Sequence, residues 1–214
     1  MIKKLIYILI LIILCTSKTL AEPQQAQLDF DSYKYTFKPG DNIKFLKNAN
    51  ANFKLSEMAQ TPADKVFYLQ ESMRYFYMLS QIYPKSVDAQ VGLGRVYDEL
   101  GIDRYAKKHF FTALDFGKKS ARANFYFANY YFKRNDFIEA LKYYKKAYEY
   151  GFSTNFETNC RLAIIYEKLA DIESAKKYYI NAYNLDKKHA ELVDKIDLLD
   201  ELNYSQSQYY LFKK

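Results

Sequence analysis

Between residues 87 and 189 the apolar positions follow a helical spacing nested inside a longer period. A small residue is followed three positions later by tyrosine at Gly94 and Tyr97, at Ala128 and Tyr131, and at Ala163 and Tyr166. The small residues are 34 and then 35 residues apart. A second triplet keeps the same beat: Ala106, Phe110 and Ala113, then Ala140, Tyr144 and Ala147, then Ala175, Tyr179 and Ala182. Spacings of three and four within each triplet put its members on one helix face, so every unit predicts two amphipathic helices. The extra residue of the second interval fits the turn between Gly151 and Asn155.

The residue types have a packing reason. Two helices approach closely only where one of them lacks bulk, which Gly94, Ala128 and Ala163 supply, while the aromatics at 110, 144 and 179 fill the larger holes. Asp136, with Glu139 three residues on, and Asp171 at the equivalent place read as helix N-caps; Gly101 and Gly151 read as chain reversals. Upstream, Thr61 caps a helix with Pro62 in its first turn, running to Tyr83 before Pro84. There Ser72, Phe76 and Leu79 match the second-helix spacing, and residues 50–60 read as the remnant of a first helix. Downstream, Val193, Ile196, Leu199 and Leu202 form a stripe on a capping helix over about 190–203.

This pattern resembles the tetratricopeptide repeat (TPR). The resemblance implies an all-α fold: a right-handed α-solenoid of about three helix pairs (87–120, 121–155 and 156–189) with a flanking N-terminal helix and a C-terminal capping helix. The solenoid then spans 61–203, after a flexible or partly extended leader over 22–60 and before a polar-aromatic tail over 204–214. In the family, first-helix residues line an inner groove that receives peptides. Carried onto this chain, that assigns Arg95, Arg122, Phe125, Asn129, Phe132, Ile164 and Lys168 to a peptide-binding groove. Arg95, Arg122 and Lys168 would form a basic rim around the aromatic anchors Phe125 and Phe132, suiting a protein or peptide partner with acidic and apolar residues. The carboxylate-clamp subfamily is a poor match: its places hold Val91, Arg95, Tyr126, Glu157 and Arg161, of which Arg161 alone agrees.

The N-terminus changes the picture of where the protein acts. Lys3 and Lys4 precede an apolar run from Leu5 to Leu14, and Thr19-Leu20-Ala21 supplies a small-residue cleavage site, so residues 1–21 read as a signal peptide. The run is shorter than the ~20 residues of a membrane anchor, which leaves no transmembrane span in the mature chain. An alternative is a lipoprotein tethered through Cys15, against which Leu14 stands where a small residue is needed. The compact leader and the bias toward Lys, Ile, Asn and Tyr favour a bacterial host, giving an exported protein of the periplasm or medium. Of the formal charge of +7, Lys3, Lys4 and Lys18 account for three with no acid beside them, leaving +4. That modest charge argues against nucleic acid and makes an RNA-binding helical repeat the weaker reading. Loss of Cys15 leaves Cys160 without an internal disulfide partner.

Candidate chemistry is sparse. The pattern of Gly92-Leu93-Gly94 lies within a predicted helix with no strand before it, so close packing explains it better than a nucleotide. His109 and His189 have no metal-ligand partner in register, and Cys160 reads as a half-buried apolar residue. No cofactor, metal or catalytic group is expected, and the chain reads as a scaffold and not an enzyme.

Overall fold

The computed structural model describes residues 36–212, with side chains to residue 202. The expected signal peptide, Cys15 and most of the leader lie outside the described residues. Among the described residues nine α-helices follow one another: α1 (Asp41–Glu57), α2 (Pro62–Ile82), α3 (Val87–Glu99), α4 (Asp103–Phe116), α5 (Ala121–Lys133), α6 (Phe137–Ala147), α7 (Phe156–Lys168), α8 (Ile172–Leu185) and α9 (Glu191–Phe212). Each odd helix from α1 to α7 packs on the even helix after it, and α1, α3 and α5 also touch in succession. The result is a helical-repeat solenoid of four pairs closed by α9, and no helix among the described residues is long and apolar enough to cross a membrane.

Packing inside a pair follows the small-residue rule. A Cβ on Gly94 would come within 2.9 Å of the Phe110 ring in the partner helix, and one on Gly92 within 2.3 Å of Phe76 in the preceding pair. The two glycines of the Gly-Leu-Gly pattern thus receive aromatic rings from either side. Ala128 and Ala163 are fully buried in equivalent places, and so are the second-helix alanines 106, 113, 140, 147, 175 and 182. Parallel rings also tie each of the last three pairs together: Tyr97 on His109 at 5.3 Å, Tyr131 on Tyr143 at 5.8 Å and Tyr166 on Tyr178 at 5.6 Å.

The turn between first and second helices repeats in atomic detail. The amides of Ile102, Asp136 and Asp171 donate to the carbonyls of Tyr97, Tyr131 and Tyr166 at 2.8, 3.1 and 2.9 Å. This closure needs a left-handed residue just before the donor, and Gly101, Asn135 and Ala170 hold φ at 73°, 58° and 59°. Side-chain caps recur as well, with Ser86, Ser120 and Asn155 accepting from the amides of Ala89, Ala123 and Thr158. Asp136 and Asp171 accept from Glu139 and Ser174. The inserted residue of the third repeat is absorbed in a π-turn at Tyr148–Phe152, where Gly151 has φ 127°.

Two boundaries differ from the sequence reading. Residues 41–57 of the expected leader form α1, which buries Phe45, Ala49 and Phe53 at four-residue intervals and makes a complete first pair with α2. Ser72 donates to the carbonyl of Ala49 at 2.9 Å, marking the crossing that Gly94 marks in the next pair. The period conceals it because α2 starts about two turns early: Ala49 precedes Ser72 by 23 residues, whereas Gly94 precedes Ala106 by 12. At the other end, α9 runs on through residues 204–212. Its buried face is Leu192 and Leu199 with Ile196 half-buried, while Leu202 stands 44% exposed. Lys176, near the start of α8, pairs with Asp200 of α9.

Two substitutions test this packing. Gly normally costs a helix about 1 kcal/mol relative to Ala, yet Gly92→Ala is expected to destabilise by about 1–3 kcal/mol because Phe76 must move. Ala170→Gly relieves a left-handed alanine and is expected to stabilise by about 1 kcal/mol, raising the melting temperature by roughly 2–4 °C. Thermal melts followed by circular dichroism measure both, and a neutral Gly92→Ala means the ring does not occupy that gap.

Candidate functional site

The face made by the first helices holds a cavity of about 610 Å³. Phe53 and Glu57 of α1, Arg95, Asp98 and Glu99 of α3, and Glu157 and Arg161 of α7 contribute to it. Helix α5 lies across its middle with Phe125, Tyr126, Asn129, Phe132 and Lys133. First helices reach one surface because each pair advances by a nearly constant repeat, so residues 34 or 35 apart become neighbours.

Four of the seven expected groove residues line the cavity: Arg95, Phe125, Asn129 and Phe132. Their environments differ. Phe125 is only 5% exposed and packs on Tyr126, Tyr144 and Phe152, so it belongs to the core wall and is no accessible anchor. Phe132 is half-buried, against Phe137 and Tyr144, with the Arg161 guanidinium 4.6 Å from its ring centre. Asn129 binds the hydroxyl of the buried Tyr144 through one end of its amide, leaving the other end for the cavity. Arg95 lies between two rings, Phe53 at 3.9 Å and Tyr126 at 4.2 Å.

The remaining three are not among its lining residues. Arg122 pairs with Asp88 one repeat earlier at 3.0 Å. Ile164 packs into the cluster formed by α8 and α9. Lys168 is exposed at the end of α7.

Charge in the cavity is balanced, which corrects the expectation of a basic rim. Lys133 binds both Asp98 and Glu99, and Lys65 binds Glu99 from α2 at 2.9 Å. Arg134 reaches Asp98 at 2.8 Å, and Arg161 reaches Glu157 at 3.4 Å. Burial alone would raise the Glu99 carboxyl; hydrogen bonds from Lys133 and Lys65 more than offset it and hold the group below its usual range. Arg95 is pulled below its ordinary value mainly by desolvation, with Arg122 adding to the effect. Arginine still keeps its proton in water at any ordinary pH.

Phe53 and Glu57 were not assigned to the groove because residues 50–60 read only as the remnant of a first helix; the spacing of Phe45, Ala49 and Phe53 was the available signal. Other residues singled out earlier are structural. Cys160 is half-buried, and burial pushes its thiol up to about 11, away from reactivity. His109 stacks on Tyr97 and shares a hydrogen bond with Gln90 at 2.7 Å, and burial lowers it to about 4. Among the described residues no cluster of three or more His, Cys, Asp or Glu could hold a metal ion.

Lys133→Met tests the ion network beneath the cavity. Glu99 has a depressed folded-state pKa, so its contribution is complete above the ordinary carboxylate range and is lost as pH falls through the folded value. The variant is expected to lose about 1 kcal/mol or less at pH 7, given the half-exposed lysine, with the gap closing in acid. Urea titrations at pH 7 and at about pH 3 measure the difference; a gap that widens in acid contradicts the assignment.

No family model and no curated protein sequence matches the chain. Solved structures do. The Pseudomonas aeruginosa pilF structure superposes with a TM-score of 0.63 at 14% identity, covering 79% of this chain and 73% of its own. A crystal structure of MamA gives 0.54 at 14% identity, covering 77% and 88%. YrrB, described as a TPR protein with an unusual peptide-binding site, gives 0.56 at 16% identity, covering 76% and 78%. At these identities the likeness concerns architecture, and the architecture is that of the tetratricopeptide-repeat solenoid.

Proposed function

We infer that this chain is an exported, non-catalytic scaffold that holds a peptide segment of a partner protein on its inner face, in bacterial envelope assembly or secretion. The observation that carries the reading is the cavity itself. It is deep enough for side chains, and its lining joins the half-buried Phe132 ring to polar groups at Arg95 and Asn129 that the fold leaves available. Aromatic and arginine side chains in a concave site are the usual anchors of polypeptide recognition, and polar ends around them fix backbone register. The peptide-binding site in the description of YrrB supports the same use of the fold. Export rests on residues 1–21, and the lipid-anchored alternative on Cys15.

A photo-crosslinker placed at Phe132 in the secreting host is expected to yield adducts with a partner, while the same group at Lys145 on α6 yields none. Adducts from both positions, or from Lys145 alone, place the partner on the outer face. Phe132→Ala is expected to weaken capture by about 2 kcal/mol if the ring is an anchor. Phe125→Ala is a poor probe, because emptying that buried site costs about 3–5 kcal/mol of stability. Export is checked on the mature chain, which is expected to begin at Glu22; an intact Met1 contradicts cleavage, and an acylated Cys15 selects the tethered form.

A further inference from the structure

We propose that Arg95 selects the ligand by binding the carboxylate of an acidic side chain within the bound segment, in the place now held loosely by Glu57. The proposal rests on the reading of the inner face as a polypeptide site.

The repeat register places arginine where the next two units carry Asn129 and Ile164. The guanidinium is sandwiched between Phe53 of the preceding pair and Tyr126 of the following one. Two ring contacts at these distances hold the cation in place, and they supply no oxygen acceptor to its N–H donors. Those donors make no hydrogen bond among the described residues. A Glu57 carboxylate oxygen lies 3.9 Å from Nη2, outside hydrogen-bond range. With its side chain only 17% exposed, the arginine has also lost most of its water.

A largely buried guanidinium whose donors find no acceptor among the described residues keeps its hydrogen-bonding capacity for a ligand. That capacity is met when a carboxylate enters in the plane of the guanidinium fork and accepts two parallel bonds. The other cations lining the cavity are already engaged, Lys133 by Asp98 and Glu99 and Arg161 by Glu157. Those three acids also argue for a singly charged carboxylate over a phosphate dianion, which they would repel more strongly.

Glu57 is the last residue of α1, with its side chain 55% exposed. It offsets the arginine charge through space and can swing into water as a ligand carboxylate arrives. Its charge then opposes the incoming one, so the same residue that shields the empty site tunes the affinity of the filled one.

The test pans a random peptide library, displayed with both peptide ends fused, against the purified protein. Selected peptides are then synthesised with acetylated and amidated termini for titration. The expected outcome is enrichment of Asp or Glu beside apolar residues, with binding that needs Phe132. Arg95→Gln is expected to lower affinity about tenfold or more, and Arg95→Lys to restore little because it lacks the fork. Changing the peptide Glu to Gln costs affinity with the parent protein and none with Arg95→Gln. Glu57→Gln is expected to raise affinity about threefold, a gain that misfolding cannot produce.

Peptides that need Phe132 but show no acidic preference overturn the role of Arg95 and leave the groove intact. Recovery of binding only with a free peptide C-terminus overturns the side-chain source. Absence of any Phe132-dependent peptide overturns the groove reading and this proposal with it.

Discussion

Everything in this structure depends on how near two helices can come. A ring from a neighbouring helix enters the gap beside a residue with little or no side chain, as Phe110 does beside Gly94 and Phe76 beside Gly92. The close approach lets a helix pair bury its apolar faces without a large core, and it fixes the rotation of each first helix. That rotation decides which residues face inward. The cavity is therefore a downstream result of glycine and alanine on the opposite side of the same helices, and a change of packing at Gly94 would move Arg95, its immediate neighbour.

The repeated part of this arrangement was legible in the sequence because it rests on local regularities. Small residues spaced by 34 and 35, caps at Asp136 and Asp171 and the reversal at Gly101 are each readable without knowing the fold. What the sequence hid were features that break the period or depend on distant partners. Helix α1 carries the right apolar spacing but sits out of phase, since α2 is about two turns longer at its start. The left-handed conformations of Asn135 and Ala170 are imposed by turn closure and leave no glycine to announce them.

The site was legible to the level of a face and no further. Register alone placed Arg95, Asn129 and Phe132 on the inner surface, but it placed Phe125 there equally, and burial separated them. Charge was the least readable property. Arg122 and Lys133 look like free cations in a linear sequence, yet their acids lie 34 or 35 residues earlier at Asp88, Asp98 and Glu99. These pairs span consecutive repeats and, with Lys65–Glu99 and Arg134–Asp98, add polar ties between units that also share apolar contacts.

The parallel ring pairs have a consequence for how the protein reports on itself. The chain has 23 tyrosines and no tryptophan, so its intrinsic emission comes from phenol rings alone. Tyr131 with Tyr143 and Tyr166 with Tyr178 hold two such fluorophores face to face, one couple in each of the last two repeats. A solenoid can melt unit by unit because each unit touches only its neighbours. Separation of one couple therefore marks the opening of one unit, and the molecule carries a built-in optical ruler for the order in which its turns come apart.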